Sequence, residues 1–231
     1  MKRIRILVTS VAIAAITAIT VIVVTFAINQ KSNYEVKKMQ QHELKNEEET
    51  YQIALDKALE VIDIPEGYHF KEVRSGEQND VDVFVFRYEK ENLDNNGLGG
   101  EHYSFTVEQE SHKIIGITWM DQRFASNQQL PSEKRTEEIV QVFLNKIQSG
   151  LFGQLENQWI RPHDEDIKVN KEALTLTGMK YKCYVPENDS WAWVIVGLDG
   201  NIMAFEQDIK WKGGRLTEKW LHDSWLLERQ L

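Results

Sequence analysis

The sequence predicts an α+β protein: an N-terminal transmembrane helix followed by two repeated units, each a helix packed on an antiparallel sheet of three to four strands. Three observations carry this reading. An uncharged apolar run near the start is long enough to span a bilayer. Helical and strand periodicities then follow in the order helix, strand, hairpin. That order occurs twice, with the two helices about 85 residues apart and the two closing hairpins about 88 apart.

The expected organisation is an anchor over 1–28, a stalk over 29–46, a first unit over 47–126, a second over 132–212 and an amphipathic helix over 213–231. In the anchor, Ile6 to Ile28 holds 23 residues without a charge. At 1.5 Å rise per residue, a helix of that length crosses about 30 Å of hydrocarbon. Lys2, Arg3 and Arg5 precede it and favour a cytoplasmic N-terminus with the rest of the chain outside. A cleaved signal peptide is the competing reading. Its apolar core is usually shorter, and Thr25-Phe26-Ala27 is a poor cleavage site. The sequence therefore places the protein in the cell membrane as a single-pass, extracytoplasmic domain, touching lipid through residues 6–28. Glu43, Lys45, Glu47, Glu48 and Glu49 make the stalk polar.

The first unit opens on a helix whose apolar residues Tyr51, Ala54, Leu55, Ala58, Leu59 and Ile62 share one face. Pro65 and Gly67 stop it. Val81 to Tyr88 is a β-branched and aromatic run, and Tyr103 to Val107 alternates with period two. Glu110-Ser-His-Lys turns the chain into a strand from Ile114 to Met120. In the second unit Ser132 caps a helix with Ile139, Val140, Phe143, Leu144 and Ile147 on its apolar face. A loop with Trp159 and Pro162 follows, then strand material from Leu174 to Val185. Trp191 to Leu198 meets an Asp199-Gly200 turn, and Ile202 to Glu206 returns. At the C-terminus, Leu216, Trp220, Ser224 and Leu227 fall on one helical face, with Leu221 and Trp225 beside it.

Charge narrows the function. Lys+Arg is 27 and Asp+Glu is 36, a net charge of −9. Without the three N-terminal basic residues the balance is −12, which argues against a nucleic-acid partner. The lone Cys183 excludes an intramolecular disulfide and a four-cysteine zinc site. Its apolar strand setting suggests a buried, inert thiol.

The order of elements resembles the PepSY domain and its relatives. The resemblance rests on Tyr103-Ser-Phe-Thr-Val-Glu-Gln-Glu-Ser-His-Lys-Ile-Ile-Gly-Ile and Trp193-Val-Ile-Val-Gly-Leu-Asp-Gly-Asn-Ile-Met-Ala-Phe. With the helices it covers most of 47–126 and 132–212. It implies a bacterial, extracytoplasmic, membrane-tethered binding or regulatory module, of a kind that accompanies protease propeptides and envelope proteins. It brings no catalytic residue, metal ligand or cofactor.

Chemical motifs are weak. Asn92-Leu-Asp-Asn-Asn-Gly resembles half of a calcium loop, but Tyr103 stands where the closing carboxylate belongs, so a hairpin loop is the better reading. His163-Asp-Glu-Asp reads as a solvated acidic loop, and neither Gly-x-Ser-x-Gly nor His-Glu-x-x-His is present. The expected function is non-catalytic: modulation of an envelope protease or protein partner. The alternatives are an envelope hydrolase using Asp164 or Asp166, and an accessory subunit of a membrane complex. Tryptophan is the most distinctive feature, with seven in the chain. Trp191, Trp193, Trp220 and Trp225 are the candidate residues for holding a protein or peptide partner. No cofactor is expected.

Overall fold

The computed structural model describes residues 37, 38, 45, 48–78, 80–91, 95–125, 129–210 and 221–229. The expected anchor lies outside them. Among the described residues no helix is long and apolar enough to cross a membrane. The chain divides into Met1–Thr50 and Tyr51–Leu231, and the fold below is that of the second part. After α1 (residues 51–59) come β1 (Tyr68–Gln78), β2 (Val81–Lys90), β3 (His102–Glu108) and β4 (Ile114–Met120). Then follow α2 (Glu133–Ile147), β5 (Glu156–Val169), β6 (Glu172–Val185), β7 (Ser190–Gly197), β8 (Ile202–Ile209) and α3 (Asp223–Arg229).

All eight strands form one antiparallel sheet in the order β1-β2-β3-β4-β8-β7-β6-β5. This corrects the expected fold class: there are not two helix-on-sheet units with sheets of their own. β4 pairs with β8 through Gly116↔Glu206, Ile117↔Phe205 and Thr118↔Ala204. The physical reason is burial. Every residue of β4 is buried, and a strand apolar on both faces cannot stand at a sheet edge, where its backbone groups would lie unpaired against apolar surroundings. β8, buried from Met203 to Gln207, likewise needs a partner on that side. Side chains reinforce the seam, with Lys113 Nζ 2.5 Å from Asp208 Oδ2 and Gln207 Nε2 donating to Ile114 O at 2.6 Å.

One face of the sheet carries a continuous aromatic core. Phe86 stacks on Phe105 with ring centroids 5.0 Å apart, and Phe205 continues the row across the seam, edge-on to Phe143 of α2 at 5.4 Å. Ala54, Ala58 and Ile62 are buried against this core, while Leu59 is 41% exposed and falls outside the expected face of α1. Phe124, in a 3₁₀ turn after β4, plugs the sheet between Trp119 and the backbone of Gly197. A Cβ at Gly197 would stand 2.4 Å from the Phe124 ring, so only glycine admits that plug. The Ser132 cap forms as expected, its hydroxyl accepting from Arg135 N–H.

Two strands were not anticipated. β1 and β5 are the sheet edges, and each has many exposed positions. β5 occupies the stretch expected to be a loop around Trp159 and Pro162. Proline is tolerated there because an edge strand leaves one row of N–H groups outside the ladder. The β7–β8 connection also differs. Only Gly200, at φ 82°, takes a positive φ; Gly200 N–H bonds Gly197 O at 3.0 Å and Gly197 N–H bonds Asn201 O at 2.8 Å. The Asp-Gly pair therefore closes a longer turn, with a single left-handed residue where two were expected.

Candidate functional site

The second face of the sheet carries most of the polar chemistry. Across β2, β3 and β4 it presents Arg87, Ser104 and Thr118 in register, with Val85 and Thr106 on the next row. These positions are buried, because α3 lies over them. Leu221, just before α3, fits against Gly116, where an added Cβ would meet its Cδ1 at 2.2 Å. Asp223, the first residue of α3, is the polar anchor. Its carboxylate takes Arg87 Nη1 at 2.8 Å, Arg87 Nη2 at 3.2 Å and Gly99 N–H at 2.5 Å. Arg87 also donates to Glu89 at 2.8 Å and to Gly97 O at 2.8 Å.

His102 sits beside this cluster. Its Nδ1 is 3.1 Å from Gly100 O and 3.5 Å from Asp223 Oδ2. Burial, with Arg87 nearby, lowers its pKa to about 4 in spite of Asp223, so the ring is neutral near pH 7. Burial pushes the Asp223 carboxyl up, but His102, Arg87 and the Gly99 N–H outweigh it and hold the group below the ordinary carboxylate value. A second buried network stands at the same end of these strands, where β2 and β4 finish and β3 begins. Lys90 Nζ reaches Glu101 at 2.9 Å and Asp121 at 2.8 Å, and Tyr68 Oη donates to Asp121 at 2.8 Å. Its members are matched to one another and fix the β2–β3 loop.

That loop contains the stretch likened to a calcium site. Asn92 to Asp94 lie outside the described residues. Asn95 donates to Glu101 at 3.1 Å and accepts from Asn170 N–H at 2.9 Å, and Lys168 N–H bonds Gly99 O at 2.7 Å. These bonds bring the tip of the β5–β6 hairpin back onto the β2–β3 loop. A cavity of about 250 Å³ lies between them and α3, lined by His102, Thr118, Met120, Glu165, Ile167 and Leu227 among others.

The acidic run on β5 is split by the pleat. His163 Nε2 is 3.0 Å from Glu165 Oε1, while Asp164 and Asp166 each accept a threonine hydroxyl from β6 at 2.7 Å. His222 and Asp223 diverge at the start of α3, with His222 Nε2 3.3 Å from Glu206 and Asp223 on Arg87. Among the described residues no three His, Cys, Asp or Glu side chains converge where they could hold a metal ion. Cys183 is buried, which pushes its thiol up to about 12.

The tryptophans separate into different settings. Trp193 is buried, and its indole N–H donates to Glu206 at 3.1 Å. Trp191 is half-buried with Lys182 Nζ 4.5 Å above its ring. Trp225 is half-buried on α3, and Trp220 lies outside the described residues. Trp159, expected in a loop, stands on the edge strand near Trp191. Lys182 is 5.7 Å and Arg161 5.5 Å from its ring. Trp159, Lys182 and Trp191 thus form a half-exposed aromatic and cationic strip beside the β5 edge. The sequence signal for it was the alternation Trp159-x-Arg161 opposite Lys180-x-Lys182, which becomes legible only once the strands are paired.

No family model, curated protein or solved structure matches the chain.

Proposed function

We propose that the protein is a membrane-anchored, extracytoplasmic binding module of the bacterial envelope, non-catalytic and related to PepSY domains, which engages an acidic segment of a protein partner. The observation that carries this reading is the Trp159–Lys182–Trp191 strip. Tryptophan and arginine are the side chains that dominate binding hot spots, because they bury large area and keep a polar handle. Here they are left half-exposed together, with Lys182 and Arg161 offering positive charge on an acidic protein. An extended segment bearing carboxylates would stack on the indoles and meet both cations. The uncharged run at 6–28 and the basic residues before it support the anchored, outward-facing placement.

The ionisable groups favour binding over hydrolysis. Asp164 and Asp166, the hydrolase candidates, are exposed and each is held by a threonine. Neither has the buried setting that tunes a carboxylate for acid catalysis.

Site-specific photocrosslinking in intact cells tests the reading. A benzophenone side chain at position 159 should trap one discrete partner, and the same group at Val142, which is 72% exposed on α2, should not. Lys182→Glu should abolish the adduct at 159. Equal adducts from both positions, or none from 159, would contradict the proposal.

A further inference from the structure

The cavity under α3 is separate from the tryptophan strip. It holds two deeply buried polar atoms that the fold leaves unmatched. His102 and Thr118 are each 2% exposed. His102 Nε2 and Thr118 Oγ1 have no hydrogen-bond partner among the described residues, and both side chains line the cavity. Buried polar atoms are nearly always bonded, so each needs a reason. We propose that this cavity is a binding site for a neutral sugar ring.

The chemistry follows from the wall. Two acceptors, Gly100 O and Asp223 Oδ2, surround His102 Nδ1 and place the ring proton there. Nε2 is then a bare acceptor that calls for an O–H or N–H from the ligand. The Thr118 hydroxyl can give or take a bond. Glu165, Asp166 and Asp223 line the same space, against Lys168 and His222 as the other ionisable side chains with His102 among the described residues, so carboxylates outnumber the fixed cation and an anion is disfavoured. Met120, Ile167 and Leu227 supply an apolar wall. A ligand with hydroxyl donors along one edge and an apolar C–H face satisfies both halves. Size sets the limit at one ring. The volume of about 250 Å³ exceeds the roughly 150 Å³ that admits benzene, and lies below the ~300 Å³ where drug-sized pockets begin. Exposed Ser224 and Leu227 stand at the mouth.

A free monosaccharide and the end of a glycan share this chemistry. The test uses the full chain in lipid nanodiscs, titrated with glucose, N-acetylglucosamine and, as an anionic comparator, gluconate, with the His102 imidazole nitrogens followed by NMR. At least one neutral sugar should shift Nε2 saturably, with a dissociation constant on the order of 1 mM, and gluconate should not. A disaccharide of the bound sugar separates the sources: equal affinity assigns a glycan end, and weaker binding a free sugar. Thr118→Val should weaken binding about fivefold or more, the worth of one hydrogen bond, without lowering the melting temperature. Leu227→Trp, at a half-exposed wall, should block the site in a folded protein. No saturable shift at about 100 mM sugar, equal binding of gluconate, or unchanged affinity in both variants would overturn the assignment.

Discussion

At the scale of single residues, the decisive contacts join positions far apart in the chain. Arg87 and Asp223 are 136 positions apart, both are buried, and each is the other's main counter-charge. Asp223→Ala leaves a buried guanidinium with Glu89 as its remaining charged partner among the described residues. It should cost about 3–5 kcal/mol, the usual penalty for breaking a buried pair, read as a lower urea midpoint. Arg87→Met in the same background should recover part of that loss, because it removes the stranded charge. His102 gives a pH signature. Its pKa is lowered to about 4, so between pH 6.5 and 4 the unfolded chain binds a proton that the folded chain does not. Stability contributed by the neutral ring is therefore whole above 6.5 and lost as pH falls, by up to about 1.4 kcal/mol per pH unit. Asp223 and Asp121, both held below the ordinary carboxylate value, add a further loss only at still lower pH. Urea midpoints measured from pH 7 to 4 should fall more steeply for the wild type than for His102→Gln; parallel curves would contradict this.

At the scale of elements, what was legible in the sequence followed from local pattern. α2 with its Ser132 cap and the β3–β4 and β7–β8 hairpins are all marked by periodicity or turn residues. β1 and β5 were missed because edge strands are exposed and polar, and Pro162 argued for a loop. The β4–β8 pairing was illegible because no local signal says which buried strand a buried strand will meet. The sites follow the same division. The tryptophans stood out by count, but burial removed Trp193 from the exposed set, and strand pairing placed Trp159 and Lys182 beside Trp191. The cavity depends on α3 lying over β3 and β4, which no spacing announces. Gly116 is the test of that docking. Gly116→Ala forces the Leu221 side chain away from a contact of 2.2 Å. Amides of α3 should then exchange faster with solvent while those of β6 and β7 do not change. Unaltered exchange in α3 would show that Leu221 does not hold it.

At the scale of the whole molecule, one sheet and one core imply one cooperative unit. The hydrophobic cluster runs from Tyr68 on β1 to Ile167 on β5 and includes residues of all eight strands. The seam is the narrowest part of the sheet, with three paired positions, yet Phe205 and Ile117 bury their side chains there completely or nearly so. The cavity depends on this continuity. The strip needs β5, β6 and β7 in register, and the cavity needs the β5–β6 hairpin to reach the β2–β3 loop. The most direct measurement is native-state hydrogen exchange of the full chain under increasing urea, for wild type and Phe205→Ala. The core amides of β2–β3 and of β6–β7 should share a single opening free energy. The substitution should lower both by the same amount, about 3–5 kcal/mol for a buried phenylalanine. Two different opening free energies, or a loss confined to β6–β8, would contradict the single eight-stranded sheet.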